Sequence, residues 1–224
     1  MTCVNTPSQD ADVLARVSHA LGRSALPTAV PPPPIVDQAV ARHVLADGDL
    51  AARFTSAAVA SNMTVEPVSS DSLAGQIAHA LRARGVNRVI VTRSGLPGET
   101  DLVAELAALG FSAAWWSDTS LDAAYDANAG VTDVWFAVAE TGSLAIRASP
   151  DHGRAVSLVP PLHIAIVQRS QIVADLIDAM QKIAAEGAGS ATVFITGPSK
   201  TSDIEMTLVT GVHGPMEVVV LLVD

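Results

Sequence analysis

Short runs rich in Val, Ile and Leu alternate with stretches of helical period along most of this chain, and that alternation limits its fold more than any other feature. Met63 to Val68, Arg88 to Thr92, Phe111 to Trp116, Val131 to Ala139, Ser143 to Ala148, His163 to Val167, Ala191 to Ile195 and Val218 to Val223 read as strands. Between them Leu73, Ile77 and Leu81 stack at four-residue spacing, Leu102, Leu106 and Leu109 repeat the period, and Ile172, Val173, Leu176, Ile177, Met180 and Ile183 form the strongest amphipathic pattern. Gly85, Gly110 and Gly187 stand where those helices should stop. Near-continuous apolar strands separated by helices predict an α/β fold with an open, mainly parallel sheet covered on both faces. Glu140-Thr141-Gly142 is too short for a crossover, so a hairpin is allowed there.

The first 34 residues read differently. Val13, Val17 and Leu21 predict a short helix ending at Gly22, and the run Pro31 to Pro34 cannot continue a helix. Residues 1–34 are therefore expected to be a helical arm with a proline-rich linker, and 35–224 the α/β domain, beginning with alanine-rich helix over 37–60.

Composition removes several function classes. With a formal net charge of -10 and 13 Lys plus Arg scattered along 224 residues, a nucleic-acid groove is not expected. Cys3 is the single cysteine, so a disulfide framework or a self-contained iron–sulfur site is excluded, and any cluster must belong to another chain. No apolar stretch approaches the ~20 residues of a membrane span, and no leader pattern is visible, which predicts a cytoplasmic protein without a metal or cofactor of its own. Lys200-Thr201 lacks the glycines of a nucleotide-triphosphate loop, with Ser199 and Phe194 in their places. The histidines His19, His43, His79, His152, His163 and His213 show no local metal-ligand spacing.

Polar, glycine-bounded turns between buried-looking strands are where chemistry is expected in such folds. Gly197, Pro198, Ser199, Lys200 and Thr201 form one such turn, and Ser202 to Glu205, with Asp203, offers a Ser-x-x-Glu capping box whose free amides suit an anion. Gly211, His213, Gly214 and Pro215 form a second, which predicts that two loops meet on one edge of the sheet, with His213 as a catalytic candidate. Glu140, with Thr141, Gly142 and Ser143, closes a strand that looks buried, where burial would raise a carboxyl pKa unless donors satisfied it. Arg147, Arg154 and Lys200 lie near these turns in sequence and are available to neutralise an anion. His163 lies inside an apolar strand, as a core histidine would.

Four blocks, AETGSL at Ala139 to Leu144, SLVPPLHI at Ser157 to Ile164, TGPSKTSDIE at Thr196 to Glu205 and GVHGP at Gly211 to Pro215, together resemble the lactate-utilisation protein C family, also called the LUD domain. The resemblance implies a Rossmann-like sheet similar to the sugar-phosphate isomerase and CoA-transferase group. It also implies a part in oxidising L-lactate to pyruvate beside an iron–sulfur protein and a further subunit. At Lys200 the family commonly carries arginine.

Two functions follow from these readings. One is a non-redox subunit of a lactate-oxidising system whose turns hold a small carboxylate or phosphate. The other is an acyl or CoA transferase, because Glu140-Thr141-Gly142 echoes the Glu-x-Gly turn of a nucleophilic glutamate. A pure scaffold is a third.

Overall fold

The computed structural model describes residues 7–22, 42, 44, 48–93, 101–201, 209–210 and 214–224. By its contacts the chain divides into two units, 1–41 and 42–224. In the first, helix α1 (Pro7–Ala20) contains the expected Val13 and Val17 and is followed by Gly22 at φ 65°. The proline run lies outside the described residues.

The second unit is built on six parallel strands. They are β1 (Thr64–Val68), β2 (Arg88–Val91), β3 (Ser112–Trp115), β4 (Ala129–Asp133), β7 (Leu162–Gln168) and β12 (Glu217–Val223), in the spatial order β1-β12-β7-β4-β2-β3. The central strands β4, β7 and β12 are mainly apolar and buried on both faces, the pattern that parallel strands under two covering layers require, with Thr132, Asp133 and His163 as buried polar exceptions.

Helices α3 (Leu73–Ala83) and α4 (Leu102–Ala108) cover one face. Leu73, Ile77, Leu81, Leu102 and Leu106 pack there on Val89, Val91, Val131, Ile164, Ile166, Val219 and Leu221. Asp101 caps α4 by accepting from the Ala104 N–H at 3.1 Å. The opposite face is covered by helix α2 (Leu50–Ala60), by two short helices, α5 (Leu121–Asp126) and α6 (Arg154–Leu158), and by a second sheet.

That second sheet corrects the expectation of a single open one. It runs β8-β5-β6-β9, from β5 (Phe136–Val138), β6 (Ser143–Arg147), β8 (Ile172–Val173) and β9 (Thr192–Ile195), with β5–β6 and β6–β9 antiparallel and β5–β8 parallel. The single strand expected over Val131 to Ala139 breaks at Val134 and Trp135. The Val134 N–H bonds Ile166 O in the main sheet, whereas the Trp135 N–H bonds Ala145 O in the second. Likewise Ile172 and Val173, expected to be helical, pair with Ala137 and Val138 as β8. Helix α7 (Leu176–Glu186) starts only where the Asp175 carboxylate caps the Asp178 N–H at 2.9 Å.

The hairpin β5–β6 folds back over the sheet. Its apolar side chains Ala137, Ala139, Leu144 and Ile146 join Phe54 and Ala58 of α2 against Ala165, Val167, Val218, Val220 and Leu222. Its tip therefore reaches the end of α2 that leads into β1, at the amino edge of the main sheet. There Gly142, at φ 68°, lies so close to α2 that a Cβ would sit 2.3 Å from Ala58 N. Lys200–Thr201 and Val209–Thr210 form a further antiparallel pair, β10 and β11, while the expected helix start at Ser202 to Glu205 lies outside the described residues.

Gly142→Ala combines positive φ with a backbone clash and should cost about 2–4 kcal/mol of stability. Gly187→Ala, also at positive φ but in open space, should cost about 1 kcal/mol. Urea unfolding of both variants checks this, and equal losses would mean that α2 does not constrain the hairpin tip.

Candidate functional site

In a parallel sheet the chain leaves each strand at its carboxyl end, and a crevice opens where neighbouring strands send it in opposite directions. Here the chain leaves β2 outward to β3, and leaves β4 the other way towards β7. The crevice therefore lies above Thr92 and Asp133, beyond the ends of β2 and β4. Both residues are buried, and the Thr92 hydroxyl donates to Asp133 Oδ1 at 3.0 Å.

The return strand of the hairpin supplies the next group. After β6 the chain makes a tight turn in which Ser149 and His152 exchange backbone hydrogen bonds of 3.1 Å, and the turn directs His152 inward. His152 is 4% exposed. Its Nε2 lies 2.9 Å from Asp133 Oδ1 and 3.1 Å from Asp133 O. Both are acceptors, so Nε2 carries the hydrogen, and this fixes the tautomer. Nδ1 is buried and has no hydrogen-bond partner among the described residues.

Asp133 Oδ1 thus accepts from Thr92 and lies close to His152 Nε2, while Oδ2 bonds none of the described residues and is not among the enclosed, unpaired atoms. It is the open corner of a carboxylate otherwise buried in the protein. A cavity of about 350 Å³ lies against it, lined by Asp133, Val134, Trp135, Arg147, Ser149, His152 and Gln171. Gln171 is committed to the fold, donating to Val134 O and accepting from the Gln168 N–H.

Arg147 is held in place before any ligand arrives. Its guanidinium lies 4.3 Å from the centre of the Trp135 ring, and Nη1 donates to Glu186 O and Gly187 O at 3.2 and 3.3 Å, at the negative end of α7. The Trp135 indole in turn donates to Glu186, whose carboxyl is held below the usual range first by Lys182 and then by that indole. A fixed guanidinium suits a carboxylate or phosphate better than a free one, because less side-chain entropy is lost on binding.

A second histidine sits deeper. His163 on β7 is fully buried and its Nε2 shares a 2.9 Å hydrogen bond with the Thr132 hydroxyl. Burial, with a smaller contribution from His152, pushes its pKa down to about 3, so it is neutral in the folded protein. The expectation of a core histidine fits this place.

The residues nominated from sequence gather elsewhere, at the amino edge. The Thr141 and Ser143 hydroxyls lie 2.7 Å apart, and Ser143 lies 2.7 Å from the Thr196 hydroxyl. Gly197, at φ 102°, packs so closely on Ser61 O that a Cβ would sit 2.3 Å away. The Ser199 N–H donates to Pro215 O at 2.9 Å, so the turn at Gly197 to Ser199 does meet the one at Gly214 and Pro215. Glu140 is half-buried, and its N–H donates to Ala174 O at 3.0 Å. The side chains of Lys200 and Thr201, and all of Asp203, Gly211 and His213, lie outside what is described. Arg147, expected near these turns, is instead at the opposite end of the hairpin.

Asp133 and His152 were missed by sequence reasoning for different reasons. Asp133 was available as a charged residue inside an apolar run, which is a signal of a buried polar site. His152 is nineteen residues from Asp133 with a hairpin between them, and no local spacing marks it. Among the described residues no cluster of three or more His, Cys, Asp or Glu is placed to hold a metal. None of the helices there is long and apolar enough to cross a membrane.

A family model described as the LUD domain matches residues 51–223. The lactate utilization protein C of Bacillus subtilis is 41% identical over 112 residues, 48% of this chain and 47% of that protein. That of Bacillus licheniformis is 42% identical over 112 residues, with the same coverage. The chain thus spans about half the length of the curated relatives it matches. A crystal structure of a DUF162 family protein from Deinococcus radiodurans superposes with a TM-score of 0.61 at 27% identity, covering 80% of this chain and 99% of that one.

Because His163 is depressed from 6.5 to about 3, the unfolded chain binds its proton first as the pH falls. Its contribution to stability is complete above about pH 6.5 and is lost progressively towards about pH 3, with a slope of about 1.4 kcal/mol per pH unit. Denaturant unfolding between pH 7 and 4 should show a shallower decline in His163→Asn than in the wild type. Parallel curves would contradict a neutral buried imidazole.

Proposed function

The chain belongs to the LUD domain family, and from that premise we propose that it is a subunit of an L-lactate utilisation system that holds a small 2-hydroxy or 2-oxo acid at the carboxyl ends of β2 and β4. The observation that carries this reading is the Asp133–His152 pair opening onto a polar cavity that also contains the fixed Arg147. The names of the Bacillus relatives supply the acid. Arg147 is the anchor for its carboxylate, and the Asp133–His152 pair meets the oxygen on C2.

Oxidation of such an acid releases two electrons. With one cysteine in its sequence, this chain is proposed to leave their transfer to an iron–sulfur partner and a further subunit. The sugar-phosphate isomerase and CoA-transferase likeness belongs to the same proposal, supported by the parallel sheet and its crevice. So does an anion at the Gly197 to Thr201 turn, supported by its meeting with Gly214 and Pro215. The transferase reading through Glu140 has less support, because Glu140 lies at the far end of the hairpin from the crevice.

Titration calorimetry with L-lactate and with phosphate separates these places. The crevice reading predicts that Arg147→Ala weakens L-lactate binding at least about tenfold, the value of one charge-assisted hydrogen bond, while Lys200→Ala leaves it within about twofold. The opposite pattern would move the ligand to the amino edge, and no lactate binding by the wild type would remove the reading.

A further inference from the structure

Resting on the crevice reading, we propose that Asp133 is a specificity-determining residue that admits a 2-hydroxy acid and rejects the corresponding 2-oxo acid. Asp133 Oδ1 accepts from the Thr92 hydroxyl at 3.0 Å and lies 2.9 Å from His152 Nε2, which hydrogen-bonds Asp133 O. These two neighbours fix the orientation of the carboxylate, which leaves Oδ2, unbonded among the described residues, as the oxygen turned to the cavity that Asp133 lines. An ionised carboxylate oxygen only accepts.

This corner of the crevice therefore presents an acceptor, and the group that completes it must bring a hydrogen. A hydroxyl on C2 of the ligand does so. A carbonyl oxygen at the same place sets acceptor against acceptor and leaves the carboxylate oxygen without a donor from the ligand. Arg147 holds the ligand carboxylate in either case, so it contributes affinity without discrimination between the two acids.

The same geometry predicts what an isosteric change does. In Asp133→Asn an NH2 group at the Oδ1 position would face the His152 Nε2–H at 2.9 Å, donor against donor, so the amide is oriented with its carbonyl there, accepting from the Thr92 hydroxyl. The NH2 group is then forced to the cavity. The corner changes from acceptor to donor with no change of shape, and a carbonyl becomes the better partner.

The test is calorimetry with L-lactate and pyruvate on the wild type and on Asp133→Asn, with thermal unfolding to confirm that the variant is folded. The wild type should bind L-lactate at least about 100-fold more tightly than pyruvate, and the variant should bind pyruvate more tightly than L-lactate. Equal affinities for the two acids in the wild type overturn the specificity role while leaving the crevice as their binding place. A folded variant that keeps the wild-type preference overturns it too. Should the variant fail to fold, the wild-type ratio decides alone; a wild type that binds neither acid removes the crevice reading as well.

Discussion

One carboxylate organises the functional end of this molecule. Asp133 ends a central strand, is almost wholly buried, and is balanced by Thr92 from the neighbouring strand and His152 from a loop nineteen positions along the chain. A buried charge without such partners is strongly disfavoured, so the three groups have to be in place together. Their assembly ties β2, β4 and the His152 turn into one rim and leaves a single carboxylate oxygen looking outward.

The hairpin β5–β6 decides which residues share that rim. It leaves the main sheet at Trp135, crosses the face of the sheet to α2, and returns to Arg147, so its base and its tip lie at opposite ends of the domain. Arg147, Ser149 and His152 come back to the carboxyl ends of the strands. Glu140, Thr141 and Gly142 stay at the amino edge, beside Thr196, Gly197 and the end of α2. Packing explains why the tip is glycine-bearing: neither Gly142 nor Gly197 has space for a Cβ. Residues that looked chemical in sequence thus also answer a structural demand.

Most of the main sheet was legible because its signals are local. The runs that became β1, β2, β7 and β12 needed only apolar density and flanking turns, and the Leu73-Ile77-Leu81 face of α3 needed only its period. The second sheet was not legible, since nothing in Val131 to Ala139 marks the point where hydrogen bonding passes from one sheet to another. That switch at Val134 and Trp135 depends on partners, Ile166 and Ala145, that are distant in sequence. Short α5 and α6 were missed for the same reason, being fixed by packing on Ile90 and Val156 rather than by an amphipathic repeat. The family was legible from four blocks taken together, but those blocks include neither Asp133 nor His152. The turn chemistry of glycines and prolines drew attention to the amino edge, while the crevice is a property of strand order.

The central claim is that the ligand sits at the carboxyl ends of β2 and β4. An experimental structure of the protein with L-lactate bound tests it most directly. The account predicts the ligand carboxylate at Arg147 and its hydroxyl within hydrogen-bond reach of Asp133 Oδ2. Ligand seated instead between the Gly197 to Ser199 turn and Gly214, with the crevice empty, would contradict it.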